Sequence, residues 1–165
     1  MIGLREFSLL EFKSFFFFFQ KFSFCILKHF KFEFYLKKQD LIFFLNFIKL
    51  NNLLKFNIII DIAVVDLQNI YNRFKLTYNF LSSNFWQRLS LNYFLSELDF
   101  AVSIKKIFLG VDWLEREIWD MFGIFFLNHY DLRRILTDYG FRGYPSKKDF
   151  PLTGYIELRF DDSRG

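Results

Sequence analysis

The sequence has very little cysteine, alanine, glycine or proline. Among its 165 residues there is one cysteine, Cys25. A single cysteine cannot form an internal disulfide, and alone it cannot hold an iron–sulfur cluster or a structural zinc ion. Alanine occurs only at Ala63 and Ala101, and both prolines and every glycine except Gly3 lie after residue 109. The single cysteine therefore excludes most redox cofactors on this chain. The length of the chain fits one domain whose core needs no metal.

Long uncharged apolar runs are also missing. A membrane-spanning helix needs about 20 consecutive apolar residues. The two most apolar stretches, residues 14–20 and 41–48, are short, and charged side chains bound both. Glu6 and Glu11 interrupt the positive region with which signal and transit peptides begin. We expect no transmembrane segment and no import signal, so an organellar protein of this kind would be made inside the organelle.

Phenylalanine and basic residues are what the sequence has in abundance. There are 28 phenylalanines, and with so little alanine, glycine and proline this composition is typical of an AT-rich genome, for which an organellar genome is the leading candidate. The net charge is +4, but basic stretches are diluted by acidic residues, as where Asp149 follows Lys147 and Lys148. Nucleic-acid binders concentrate Lys and Arg on one face, so we expect no nucleic-acid partner.

Hydrophobic periodicity predicts the first elements. Residues 30–37 alternate apolar and polar side chains, which indicates a half-buried strand. Asp40 can cap a helix whose apolar residues recur at helical spacing as far as Ile48, and Asn51 and Asn52 should end it. Residues 56–67 are rich in β-branched side chains and are predicted to form a buried strand.

A hairpin follows these elements. Residues 73–82 alternate again, and residues 86–95 form the partner strand after a polar turn. Because the order lacks the βαβ repeat of a parallel sheet, we predict an α+β fold, a mostly antiparallel sheet with helices on one face, followed by an extended C-terminal tail. The predicted division is a Phe-rich leader at 1–27, an α+β domain at 28–124 and a docking tail at 125–165.

A charged helix is predicted between Asp112 and Gly123. Asp112 and Glu115 have the spacing of a capping box, and Gly123 lies where a helix C-cap is expected. Asp112, Arg116 and Asp120 fall on the face opposite the apolar stripe, where they are expected to be exposed. So dense a charged and aromatic surface favours docking to another protein.

The tail holds most of the glycine and proline. It is predicted to be extended, with at most one short helix near 132–137. Because an extended segment has few neighbours in which to bury apolar side chains, we expect it to lie along a partner.

The C-terminal half resembles one protein family in consecutive blocks. Residues 113–123, WLEREIWDMFG, are similar to the ERE…DMFG signature of the thirty-kilodalton subunit (subunit 9) of respiratory complex I. Residues 129–141, HYDLRRILTDYGF, resemble that family's HPDLRRILTDYGF block, and 143–145 and 148–155 continue in register. The resemblance extends over about residues 37–162. Tyr130 and Tyr144 depart from the usual proline and histidine, which puts any role of these two positions in doubt.

This resemblance implies a cofactor-free structural subunit in the quinone module of a proton-translocating NADH:ubiquinone oxidoreductase. It would lie in the peripheral arm, on the matrix side of the mitochondrial inner membrane, in a hetero-oligomer packed chiefly against the forty-nine-kilodalton subunit. FMN and iron–sulfur clusters would be on other subunits. The resemblance implies no catalytic, cofactor-binding or metal-binding residue here, and its docking residues would be Trp113, Glu115, Arg116, Glu117, Asp120, His129, Asp131, Arg133, Arg134, Asp138, Tyr139, Lys148, Asp149, Phe150 and Tyr155.

Two other functions remain open from the residues. An enzyme with its own site has little support, because the sequence lacks a nucleophile motif and a glycine-rich phosphate loop. Cys25 and His29 could bind a metal only if they lay on a helix, and Glu115 and Glu117 point apart on a helix. The alternative is a peripheral membrane-binding or other interaction module, suggested by the Phe-rich leader and the positive charge.

Overall fold

The computed structural model describes residues 25–28, 31–52, 54–68, 71–156 and 160–163. Strands β1 (Cys25–Lys28) and β2 (Lys31–Tyr35) are followed by a 3-10 turn (Lys38–Asp40) and helix α1 (Leu41–Leu50). Strands β3 (Ile58–Asp66), β4 (Phe74–Ser82) and β5 (Gln87–Leu95) come next, then β6 (Ala101–Val102), helix α2 (Val111–Phe122) and β7 (Phe126–Leu127). Of the predicted leader, residues 1–24 lie outside the described part, and 25–27 belong to β1.

Five strands form the main sheet in the order β1-β2-β5-β4-β3. All neighbours are antiparallel except β2 and β5, which are parallel. The predicted α+β fold with a mostly antiparallel sheet is therefore confirmed. The short strands β6 and β7 form a separate parallel pair, which ties the predicted tail to the domain just after residue 125.

The core lies between one face of the sheet and the two helices. Phe74, Leu76, Tyr78 and Phe80 alternate with half-buried residues along β4, so their side chains share one face. The buried side chains of α1 and α2 belong to the same core cluster. Helices on one face of the sheet are therefore observed as predicted, and α1 ends at the predicted Asn51, whose N–H bonds to Phe47.

Strand β3 is an edge strand, and the prediction that it is buried is wrong. It pairs only with β4, and only Ile62 and Asp66 of its residues are buried. Ile58, Ile60 and Val65 are exposed. Its β-branched run indicates a strand, but composition alone does not tell whether that strand lies at the edge or at the centre of the sheet.

Helix α2 ends as predicted but does not begin as predicted. Gly123 adopts a left-handed φ of 74° and bonds its N–H to Trp119 O. Gly110 is the N-cap, and that end has no cap from a side chain, so the predicted capping box of Asp112 and Glu115 is wrong. Within the described residues 125–156 the tail contains no helix, and irregular chain and bends take the place of the predicted short helix near 132–137.

Candidate functional site

An ionic cluster around Arg73 joins the inner side of the tail to the sheet. The guanidinium donates to both oxygens of Asp66, at 3.3 and 3.1 Å, and lies 2.9 Å from Glu97 Oε2. It also pairs with Asp149 of the tail, and the backbone N–H of Lys148 donates to Asp66 at 3.1 Å. The contacts of Asp149 and Lys148 join residues 76 and 82 positions apart in the sequence. The whole group of contacts is named here the Arg73 cluster.

Mutual hydrogen bonding stabilises the charges of this cluster. The pKa of Arg73 is raised, first by the hydrogen bond to Asp66. Burial by itself raises the pKa of Asp66, but hydrogen bonds from Arg73 and from the backbone of Lys148 and Gln68 outweigh burial and leave that pKa lowered. The ion pairs therefore persist at neutral pH.

Asp120 fastens the tail to helix α2. Its side chain is completely buried, and one oxygen accepts the backbone N–H groups of Ile135, Leu136 and Thr137 at 3.1, 2.8 and 3.0 Å. The Thr137 hydroxyl donates to the other oxygen at 2.7 Å. The expectation that Asp120 lies on an exposed helix face is therefore wrong, because the tail folds back over that face.

The two consecutive arginines of the tail have different surroundings. Arg134 lies 3.5 Å from Asp120 and donates to Gly143 O at 3.0 Å, with its guanidinium over the Tyr144 ring. The Arg133 side chain is 75% exposed and pairs with the neighbouring Asp131. Arg134 therefore holds the tail together, whereas Arg133 is available to a partner.

Glu115 and His129 form a second buried polar cluster, between α2 and the start of the tail. Glu115 accepts the Ser103 hydroxyl at 2.6 Å and the Ile104 N–H at 2.8 Å. The fully buried His129 ring places Nε2 3.1 Å from Asp112 Oδ1 and 3.7 Å from Glu115 Oε2. Burial raises the pKa of Glu115 to about 7, although the hydrogen bonds from Ser103 and Ile104 oppose this rise.

The structure therefore separates the predicted docking residues into groups by exposure. Three of them, Glu115, Asp120 and His129, direct buried side chains into the chain itself. The exposed members of the set, which can reach a partner, are Trp113, Glu117, Arg133, Asp138, Tyr139, Lys148, Asp149 and Tyr155. Half-buried members are Arg116, Asp131, Arg134 and Phe150.

Several exposed apolar residues of the tail lie outside the predicted docking set. Leu136, Leu152 and Ile156 are exposed, and so is Tyr130. Together with Tyr139 and Tyr155 they are named here the tail surface. Each faces outward while the tail's polar groups are bonded inward, a distinction that spacing in an irregular segment cannot reveal.

The described part of the protein contains neither a metal-binding group of three side chains nor a helix that could span a membrane. Among those residues no group of three or more His, Cys, Asp or Glu side chains could hold a metal ion. Cys25 lies in strand β1, so it does not form the helical pair with His29 that was considered, and His29 lies outside the described residues. The described helices are all too short or too polar to cross a membrane.

Comparison with known sequences gives consistent matches over most of the protein. Residues 34–156 match the family model described as respiratory-chain NADH dehydrogenase, 30 Kd subunit. The chain is 48% identical over 116 residues to "NADH dehydrogenase [ubiquinone] iron-sulfur protein 3" of Patellifolia webbiana, a match over 70% of this chain and 60% of that protein. It is 43% identical over 130 residues to "NADH-ubiquinone oxidoreductase subunit 9" of Reclinomonas americana, a match over 79% of this chain and 64% of that protein. The chain thus spans about three-fifths of the length of these relatives.

The same fold occurs in solved structures, and one of them illustrates the likeness. A chain in the membrane-bound sulfane sulfur reductase, an archaeal respiratory membrane complex, superposes with a TM-score of 0.75. The alignment covers 94% of this chain and 96% of that chain, at 20% sequence identity. At this identity the likeness concerns the fold alone.

Proposed function

Because the chain belongs to the family of the respiratory-chain NADH dehydrogenase 30 Kd subunit, we propose that it is a structural and assembly subunit of an NADH:ubiquinone oxidoreductase. In this role it supports electron transfer from NADH to ubiquinone without a cofactor or catalytic residue of its own. Its place is the quinone module of the peripheral arm, on the matrix side of the mitochondrial inner membrane. Its main partner is the forty-nine-kilodalton subunit.

The arrangement of the tail is the observation that supports this role. The Arg73 cluster and Asp120 hold the inner side of the tail, so the tail surface projects from a fixed backbone. Tyr139 and Leu152 are fully exposed although they lie in a segment that is otherwise bonded to the domain. Apolar side chains on a preorganised segment favour association, since little conformational entropy is lost when a partner covers them.

Replacement of one tail-surface residue tests the docking role. We expect Tyr139→Ser to lower the fraction of the chain that enters the assembled oxidoreductase about tenfold, because an interface tyrosine contributes on the order of 1–2 kcal/mol. The variant replaces the natural subunit in cells, and incorporation is measured by native gel separation and mass spectrometry. Thermal stability of the isolated protein should be unchanged, because the Tyr139 side chain is already exposed.

Leu98→Ser is the matched control. Leu98 is an almost fully exposed apolar residue of the loop after β5 and lies outside the tail surface. Its replacement should leave incorporation unchanged. If Tyr139→Ser assembles as well as the unmodified chain, or if both variants fail equally, the tail surface is not the docking site.

A further inference from the structure

The cluster around Glu115 and His129 contains titratable groups that the docking role does not use. We propose that Glu115 is a buried proton-dependent switch: when its carboxyl group ionises, the Nε2–H of His129 turns from Asp112 towards Glu115 and moves the segment 128–133. The device lies inside this chain, and it goes beyond the structural role proposed above.

The position of the imidazole proton follows from the hydrogen bond on the other ring nitrogen. The backbone N–H of Asp131 donates to His129 Nδ1 at 3.2 Å. A nitrogen that accepts a hydrogen bond carries no proton, so in the neutral ring the proton is on Nε2. The ring therefore presents one donor to the buried carboxylates.

The Nε2–H donor of His129 has no hydrogen-bond acceptor in this arrangement. Nε2 is within 3.1 Å of Asp112 Oδ1 but is not aligned for a hydrogen bond, and it is one of the two buried side-chain polar atoms without a partner in the described part of the protein. Glu115 Oε2 lies 3.7 Å away. A buried donor without an acceptor is unfavourable, so the ring gains free energy when either carboxylate offers a better acceptor.

Ionisation of Glu115 changes which acceptor is better. Neutral Glu115 carries a proton of its own and is a weak acceptor towards His129, whereas the ionised group is a strong one. The pKa of Glu115, raised to about 7 by burial and by the Asp112 carboxylate, places this change in the neutral range. A movement of less than about 1 Å brings this contact to ordinary hydrogen-bond length.

The charged and titratable groups around this carboxyl group come from helix α2, from the segment after β6 and from the sheet. Asp112 lies on the same helix, and Lys105, which pairs with Asp112, lies after β6. From the sheet, Tyr78 of β4 and Tyr93 of β5 share a hydrogen bond at 3.1 Å, and the negative charge of Glu115 contributes to raising the pKa of both hydroxyls. Both tyrosines stay neutral near pH 7, so Glu115 is the group whose charge changes.

Hydrogen bonds within the segment 128–133 connect the His129 ring to the molecular surface. His129 holds the backbone of Asp131, the carboxylate of Asp131 pairs with Arg133 at 2.7 Å, and Arg116 Nε donates to Arg133 O at 3.1 Å. The exposed Tyr130 lies between His129 and Asp131. A shift of the ring therefore repositions Tyr130 and Arg133 at the outer surface.

Nuclear magnetic resonance of the full chain, with labelled glutamate and histidine, tests the switch. We expect the side-chain carboxyl carbon of Glu115 to titrate near pH 7 instead of near the ordinary 4.5. The His129 Nε2–H signal and the amides of 130–133 should shift with the same midpoint. In Glu115→Gln the change of these signals at the Glu115 midpoint should disappear.

Two further variants make the test specific. Asp112→Asn removes the neighbouring negative charge, so the Glu115 midpoint should fall. Glu117→Gln, at an exposed position on the same helix, should change nothing. The proposal is overturned if Glu115 titrates in its ordinary range, or if it titrates near pH 7 while His129 and residues 130–133 stay unchanged. The titration of the unmodified chain decides the question even if a variant fails to fold.

Discussion

Asp120 shows how one buried carboxylate can organise an irregular segment. The tail has no helix or strand near residue 135, so its backbone N–H groups need other acceptors. Burial by itself raises the pKa of Asp120, but the hydrogen bonds from Thr137 and from the backbone N–H groups of 135–137 outweigh burial and lower it. The carboxylate stays ionised and replaces the acceptors that regular secondary structure would supply.

We predict that Asp120→Asn destabilises the protein by about 1–3 kcal/mol at pH 7, because the amide carries no negative charge and keeps only one of the two acceptor oxygens. A lowered pKa means that the contribution of Asp120 is present above the unfolded value and is lost as pH falls through the folded value. The variant should therefore lose less stability than the unmodified chain on acidification. Urea unfolding at several pH values measures both effects, and Asp138→Asn, at an exposed tail position, serves as the control. Equal acid sensitivity of Asp120→Asn and the unmodified chain would contradict this role.

Trp86 lies in the turn between β4 and β5 in a conformation that suits glycine. Its φ is 55° and the residue is 81% exposed. A left-handed conformation costs a residue with a Cβ atom roughly 1–2 kcal/mol. The exposed indole recovers little of this cost by packing.

We predict that Trp86→Gly stabilises the protein by about 1 kcal/mol, because glycine adopts this conformation without strain. Thermal unfolding measures the change. Phe85→Gly is the matched control, because Phe85 is outside the set of residues with positive φ and glycine there should not stabilise. A lower melting temperature for Trp86→Gly would mean that the indole makes stabilising contacts.

At the scale of elements, the Arg73 cluster connects the ends of strands β3, β4 and β5 to the tail. Asp66 ends β3, Arg73 precedes β4 and Glu97 follows β5. Lys147 and Asp149 of the tail pair with Glu97 and Arg73. The cluster therefore fixes the tail at the end of the sheet where three strands begin or terminate.

We predict that Asp149→Asn loosens the tail without unfolding the domain, because Arg73 keeps its pairs with Asp66 and Glu97. Cleavage by trypsin after Lys147 and Lys148 should become several-fold faster under native conditions, while the melting temperature changes little. Arg73→Met should accelerate cleavage and also lower stability, since the buried Asp66 loses its partner. If Asp149→Asn is cleaved no faster than the exposed control Arg88→Met, the cluster does not hold the tail.

The elements that sequence patterns predicted well are those whose burial alternates regularly. Strands β4 and β5 and helix α1 lie where periodicity placed them, and Gly123 caps α2 as expected. The apolar run of β3 predicts a buried strand. It does not reveal that β3 lies at the edge of the sheet and pairs with one strand only. Strand order depends on long-range pairing, which local composition does not encode.

Burial on helix α2 could not be predicted for a different reason. The helical spacing of Asp120 predicts an exposed position opposite the apolar stripe, and the density of charge on α2 predicts a docking surface that includes Glu115. Both are buried because segments far along the sequence bring hydroxyl and N–H donors to them. The donors of Asp120 are 15 to 17 residues away, beyond the range of any helical pattern.

At the scale of the whole molecule, polar groups of the tail bond to the rest of the domain. Apolar side chains on the outer side of the tail are exposed. The inner polar contacts of the tail are made within the chain, whereas its exposed apolar residues face solvent. Family membership and this surface together support a subunit that is completed by a partner. The resemblance blocks near the C-terminus correspond to this same part of the structure.

The most direct test of this account is native gel separation of membranes from the source, with mass spectrometry of the band that oxidises NADH. We predict that the protein is present in that band in equal amount to the forty-nine-kilodalton subunit. Finding it only as a free species, or in an assembly that lacks that subunit, would contradict the account.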